Sequence, residues 1–203
     1  MQLFYAPTSP FARIVRVALL ELGLTNQVEQ HLVTLREPGS ALLPYNAVGR
    51  VPTLELDNGV VLTETLLILS YLDTLHTGRP LLPRDGSDGW RAMARLGTVI
   101  GMIDAIAVWN RELRRPEDER SPTVLALEHT RTHRVLDVLE TAVAGDDWTG
   151  PVDASHIALV AALGYCDVRH PVCDWRTGRP ALVAWFEALA SLPSFQATAP
   201  RLD

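Results

Sequence analysis

Cysteine is nearly absent. Two occur in 203 residues, Cys166 and Cys173, too few for a disulfide framework or a zinc cluster and wrongly spaced for a C-x-x-C redox pair. A reducing, cytoplasmic setting is expected. No apolar run approaches the roughly 18 to 20 residues that span a bilayer, and Met1-Gln2-Leu3-Phe4-Tyr5 has no basic region leading into an apolar segment. Neither an export signal nor membrane insertion is expected. Positive charge is in deficit: 18 Lys+Arg against 24 Asp+Glu leave a formal charge of −6, and the basic residues are not segregated. Nucleic acid is therefore not an expected partner. Glycine and proline, 13 and 14 residues, are far too few for collagen, and 47% hydrophobic residues are too many for a disordered chain.

What is present falls into two halves of different periodicity. From Leu3 to about Leu75, strand-length apolar runs alternate with stretches of helical spacing. Leu3 to Ala6 reads as a strand, and Phe11, Ile14, Val15, Ala18 and Leu22 line a helix that stops at Gly23. Val28 to Leu35 offers a second strand. After the loop 36–50, Val51 to Leu56 and Val60 to Thr63 flank Asp57-Asn58-Gly59, the strongest short-range hairpin signal. Leu67, Ile68, Tyr71, Leu72 and Leu75 then repeat at helical spacing within Glu64 to His76. The order β-α-β, β-β-α predicts an α/β unit over 1–76. Residues 77–89 carry three Gly and two Pro and read as a linker. Residues 90–203 read as an all-α helical bundle: Trp90 to Arg115, Pro122 to Ala144, Asp153 to about Cys166, and Arg179 to Ser191.

Three short motifs sit where these elements change. Ser9-Pro10 opens the first helix; Ser caps it and Pro suits its first position. The same helix start offers N–H donors and a positive dipole end beside a hydroxyl, an arrangement that holds an anion such as a thiolate. Val51-Pro52 begins a strand, where proline is tolerated and a trans bond is the default. A cis bond would turn the Val51 N–H and C=O outward, ready to pair with a peptide-like ligand. Glu64-Thr65 opens the helix after the hairpin, with Thr65 as its N-cap. Their chemistry suits an α-amino acid, its carboxylate on Thr65 and its ammonium on Glu64. His129 and His133 lie at i, i+4, yet H-T-R-T-H lacks the glutamate of a metalloprotease motif, and no metal is expected.

Ser-Pro at one helix start, Val-Pro at a strand start and Glu-Thr at a second helix start, in this order and ahead of an α-helical half, resemble the glutathione transferase family. The resemblance runs through TSPFARIVRVALLELGL at 8–24, NAVGRVPTLELDNGVVLTETLLILSYL at 46–72 and ALGYCDVRHPVCDWRTGRPALVAWFEALASLPSF at 162–195. It points to the bacterial, serine-type branch, with a thioredoxin-like N-terminal domain and a helical C-terminal domain lining the electrophile site.

The resemblance implies a detoxifying enzyme that uses glutathione as co-substrate and attacks a small hydrophobic electrophile. It implies that Ser9 hydrogen-bonds the glutathione sulfur as the catalytic residue, that Val51 pairs with the cysteinyl backbone, and that Glu64 and Thr65 hold the γ-glutamyl end. Arg50, where many relatives carry Lys or Gln, would meet a glutathione carboxylate. A homodimer is implied as well. Related activities stay open: a glutathione-dependent isomerase, dehalogenase, reductase or lyase, or a non-catalytic transferase-like interaction protein. Dithiol chemistry is disfavoured, because Ser9-Pro10-Phe11-Ala12 occupies the thioredoxin C-x-x-C position. Met93, Ile103, Ile106 and Trp109 on the long helix after the linker are candidates for the electrophile wall or for plain core. One departure concerns folding: Asp153-Ala154-Ser155-His156 stands where relatives carry a Ser/Thr-x-x-Asp capping box. Asp153 can cap, whereas His156 is not expected to close the box.

Overall fold

In the computed structural model, which describes residues 1–201, the first half folds as β1 (Gln2–Tyr5), α1 (Pro10–Glu21), β2 (Glu29–Leu32), β3 (Thr53–Glu55), β4 (Val61–Thr63) and α2 (Thr65–Leu72). The four strands form one sheet in the order β2-β1-β3-β4. β1 pairs parallel with β2, while β3 and β4 run antiparallel with Leu3 opposite Leu54 and Leu54 opposite Leu62. The β1–α1–β2 crossover supplies the parallel pair, and the Gly59 turn at φ +80° supplies the hairpin. β3 begins at Thr53 rather than at the expected Val51, so Val51 and Pro52 stand in the turn ahead of the ladder.

Five helices follow among the described residues: α3 (Gly86–Leu113), α4 (Pro122–Ala144), α5 (Ala154–Arg169), α6 (Pro180–Ala190) and α7 (Pro193–Ala197). α3 starts inside the stretch expected to be linker, and the last two positions of the expected helical half lie outside the described residues. α3 comes nearer to membrane length than its sequence suggested. By length and composition it is apolar enough to cross a bilayer, because Asp104 is the lone charge between Arg95 and Arg111. Leu96, Val99, Met102, Ile103 and Ile106 on it are nonetheless buried, and it packs on α4 and α5. α5 is buried on every side from Ala154 to Gly164, as an all-round apolar helix must be.

α1 joins the halves by packing on α2 from one side and α5 and α7 from the other. Arg13 makes that contact specific. It is 4% exposed and donates to Val160 O at 3.3 Å and Phe195 O at 3.1 Å. Burial, with Arg16 nearby, lowers its pKa to about 10, so it remains a cation at neutral pH. Gly164 accommodates it: a β-carbon there would lie 2.6 Å from Arg13 Nη1.

The α5 capping box does form. Asp153 accepts from Ser155 N at 2.8 Å and from His156 N at 3.3 Å. His156 Nδ1 lies 3.4 Å from the Asp153 N–H and 2.8 Å from Asp153 Oδ1. The shorter contact requires Nδ1 to carry the proton and donate to the carboxylate. A protonated Nδ1 does not accept the Asp153 N–H, so histidine closes the ring, against expectation, by a charge-assisted bond to the carboxylate that does the capping.

Candidate functional site

A cleft of about 430 Å³ opens between the first half and α3, and Ser9, Arg50, Val51, Glu64 and Thr65 all line it. The sequence scattered these five over 57 positions. The fold collects them because α1, β3 and α2 all present their starts at the same edge of the sheet.

Ser9 is the N-cap of α1, and its Oγ accepts the Ala12 N–H at 3.2 Å. That bond uses a lone pair and leaves the hydroxyl proton available to a ligand. Pro10 has no N–H, and the Phe11 N–H, the other donor of the first turn, has no partner among the described residues. Phe11 lines the cleft beside Ser9. The cleft is thus lined by two residues that keep a free donor, at the positive end of a 12-residue helix.

Val51-Pro52 is a cis peptide bond, where trans was the default expectation. The Val51 N–H and C=O take no hydrogen bond within the described residues. Two buried side chains fix the turn. Asn46 Nδ2 donates to Arg50 O at 3.0 Å and to Thr53 Oγ1 at 2.9 Å, and the Thr53 hydroxyl donates to Arg50 O at 2.9 Å. Neither was anticipated from sequence. The available signal was an Asn and a Thr flanking a Val-Pro step by a few residues, polar groups that fold inward to satisfy a turn carbonyl.

Glu64, rather than the expected Thr65, holds the N-cap position of α2, with φ +67° and ψ 126°. A non-glycine residue at positive φ costs roughly 1–3 kcal/mol, a cost commonly met at ligand sites. Thr65 is the first helical residue, and its hydroxyl donates to Phe11 O at 3.4 Å, tying the two helix starts together. The exposed Glu64 side chain makes no ion pair among the described residues.

The opposite wall is a single stripe of α3. Ile100, Asp104, Ala107 and Arg111, spaced 4-3-4, share one helical face and line the cleft. Of the wall candidates read from sequence, Ile103, Ile106 and Trp109 are at most 4% exposed and belong to the core, and Met93 packs against it. The stripe that does line the cleft escaped because an apolar helix shows its core face more loudly than its polar one. Arg36 also reaches the cleft.

His129 and His133 stand elsewhere, on an open groove of about 1000 Å³ lined by α4 and the turn after it. Their rings lie 4.4 Å apart, with His129 edge-on to Trp109 at 5.2 Å. No metal-holding group of three His, Cys, Asp or Glu side chains occurs among the described residues.

Residues 3–80 match the family model for the glutathione S-transferase N-terminal domain, and residues 122–188 match that for its C-terminal domain. The chain belongs to the glutathione S-transferase family. An uncharacterized GST-like protein of Escherichia coli K12, YibF, is 33% identical over 98% of both chains. A glutathione transferase family member from Pseudomonas fluorescens Pf-5, solved with bound glutathione, superposes with TM-score 0.91 at 38% identity, covering 99% of each chain. A second structure, with bound S-(propanoic acid)-glutathione, gives 0.88 at 37% over the whole of both chains. A glutathione S-transferase from Methylobacterium radiotolerans in complex with glutathione sulfonate gives 0.90 at 29%, covering all of this chain and 95% of the other. The thioredoxin-like half followed by a helical half is the glutathione S-transferase architecture.

Proposed function

We propose that this glutathione S-transferase family member binds glutathione in the cleft and activates its thiol for attack on a small electrophile. The observation that carries the reading is the convergence of the Ser9 hydroxyl, the Phe11 N–H and the α1 dipole on a cleft that also presents the unpaired backbone of Val51. The relatives solved with glutathione and with a glutathione thioether support it.

Glutathione is a γ-linked peptide with an amino-acid end, a cysteinyl backbone and a glycyl carboxylate. Val51 offers a donor and an acceptor to the cysteinyl unit, as an added strand would. Glu64 takes the ammonium, and the amides at the start of α2 with Thr65 take the neighbouring carboxylate. Arg50 takes the glycyl carboxylate. The sulfur then rests at the α1 start. A free thiol has a pKa near 8.5, and each unit of lowering corresponds to about 1.4 kcal/mol of preferential thiolate stabilisation. Ser9 donates to the thiolate and is not itself the nucleophile; the thiolate forms the new bond to the electrophile.

Residues 1–76 form the glutathione half in this reading, and the helical half from α3 (Gly86–Leu113) onward supplies the electrophile wall. A homodimer fits this reading: Leu67 on α2 and Trp90 on α3, 60% and 63% exposed, are apolar surface for a second copy to cover. Isothermal titration with glutathione tests the reading. Binding at millimolar concentration or tighter is expected; neither binding heat nor a thermal shift would favour a non-catalytic transferase-like protein.

A further inference from the structure

Arg111 is an exposed cation on the cleft wall that forms neither an ion pair nor a side-chain hydrogen bond among the described residues. Arg115, one turn on, pairs with Glu112 and Glu119, and Arg114, unpaired like Arg111 among the described residues, lies outside the cleft. The stripe it ends carries one carboxylate, Asp104, and apolar positions at Ile100 and Ala107, with Phe11 lining the cleft from α1. From that placement, and resting on the transferase reading, we infer that the second substrate is an electrophile carrying a carboxylate, which Arg111 recognises.

The charges facing the cleft set the argument. Arg36, Arg50 and Arg111 stand against Glu64 and Asp104, so the lining carries one positive charge more than negative in a chain of net charge −6. Glutathione brings two carboxylates and one ammonium, and these are answered on its own half of the cleft by Arg50 with Arg36, the α2 start, and Glu64. Arg111 lies on the other wall and is left over. A guanidinium fork without a partner fits a planar carboxylate by two parallel bonds. Asp104 opposes this only weakly. Seven residues of helix separate it from Arg111, about 10 Å along the axis. An ion pair at about 4 Å therefore outweighs the repulsion roughly 2.5-fold at equal dielectric. Between the two charges lies Ala107, a flat apolar contact for an aromatic or unsaturated body.

The reaction this admits is ordinary substitution or addition. With a chloronitrobenzoate whose chlorine is para to the carboxylate, the thiolate forms the C–S bond and chloride leaves with the C–Cl electron pair. The thiol proton has already gone to solvent. The carboxylate takes no part and serves only as the handle.

The test uses the thioether that this reaction yields and its carboxamide counterpart, which differ by one charge, each titrated calorimetrically into the full chain alongside glutathione. The wild type should bind the acid at least about tenfold more tightly than the amide, a difference that Arg111→Gln abolishes while glutathione affinity stays within about twofold. Arg111→Lys keeps the charge and should retain most of the preference. Arg114→Gln, which removes an exposed cation outside the cleft, should leave it intact. Equal binding of acid and amide by the wild type overturns the inference, as does a preference that survives Arg111→Gln. Loss of glutathione itself in Arg111→Gln also overturns it and assigns Arg111 to a glutathione carboxylate. Failure of the wild type to bind glutathione or either thioether overturns the transferase reading as a whole.

Discussion

Ser9 accepts the Ala12 N–H through a lone pair and keeps its own proton for the cleft, so capping and activation can be carried by one oxygen. Ser9→Ala separates them. A hydrogen bond to a charged group is worth roughly 1.5–3 kcal/mol, so kcat/KM should fall on the order of 10- to 100-fold. Loss of the cap lowers stability by about 1 kcal/mol. The readout that distinguishes the two is the pKa of the bound thiol, followed by thiolate absorbance. It rises if Ser9 donates to sulfur and stays fixed if Ser9 only caps. Asn46 acts one step further away. Its amide holds Arg50 O and Thr53 Oγ1 from a 4% exposed position, so Asn46→Ala leaves a turn carbonyl and a buried hydroxyl short of a partner. The expected cost is about 1–3 kcal/mol of stability. The Val51 backbone loses its fixed position, so glutathione affinity should weaken severalfold while the pKa of bound thiol is kept. A thiol pKa that moved as far as in Ser9→Ala would place Asn46 in the activation instead.

At the scale of elements, local signals wrote most of the fold. Gly23 at φ +67° ends α1 where the sequence put the stop, and Pro122–Ala144 forms α4 as read, opened by Ser121 capping Val124. Legibility failed where partners are remote in sequence. Asp104 and Arg111 are unremarkable within α3 and acquire meaning only when the sheet edge is brought opposite them. Arg13 looked like one of two arginines on α1, and only α5 and α7 reveal its two carbonyl acceptors. The Ser9 and Glu64-Thr65 positions were legible because they sit at helix starts, and Val51 because a Val-Pro step stands just ahead of β3, places where short-range patterns are strongest. The α1–α5 contact yields its own prediction. Gly164→Ala forces a methyl against an Arg13 group already fixed by two hydrogen bonds, costing about 1–3 kcal/mol. The melting temperature should drop by roughly 2–4 °C per kcal/mol for a chain of this size. Arg13→Met in the same background should recover part of that loss; no recovery would locate the strain elsewhere.

For the whole molecule, acid is the condition under which the helical half should give way first. His170 caps α5 through its backbone N–H to Cys166 O and stacks edge-on to Trp109 at 4.6 Å. A helix C-terminus favours a cation, yet burial wins and lowers the His170 pKa from 6.5 to about 4. The unfolded chain therefore takes up a proton below about pH 6.5 that the folded one refuses down to about pH 4, so this contribution to stability is lost as pH falls through that window. His133 shifts the same way, through burial first and then repulsion from His129 and Arg179. Asp153 follows at lower pH. Burial raises its pKa, but hydrogen bonds from His156 and Ser155 outweigh it and hold the carboxyl well below the usual range. Its contribution is complete above about pH 4 and drains away only below that. One excluded proton is worth about 1.4 kcal/mol per pH unit, or roughly 3–5 °C in melting temperature. His170→Phe keeps the ring on Trp109 and removes the titration. Between pH 6 and 4.5 its melting temperature should decline less steeply than that of the wild type, by about that slope, while the two run parallel above pH 7. Identical slopes across the range would mean that His170 is protonated in the folded protein and that its burial is not what makes the helical half sensitive to acid.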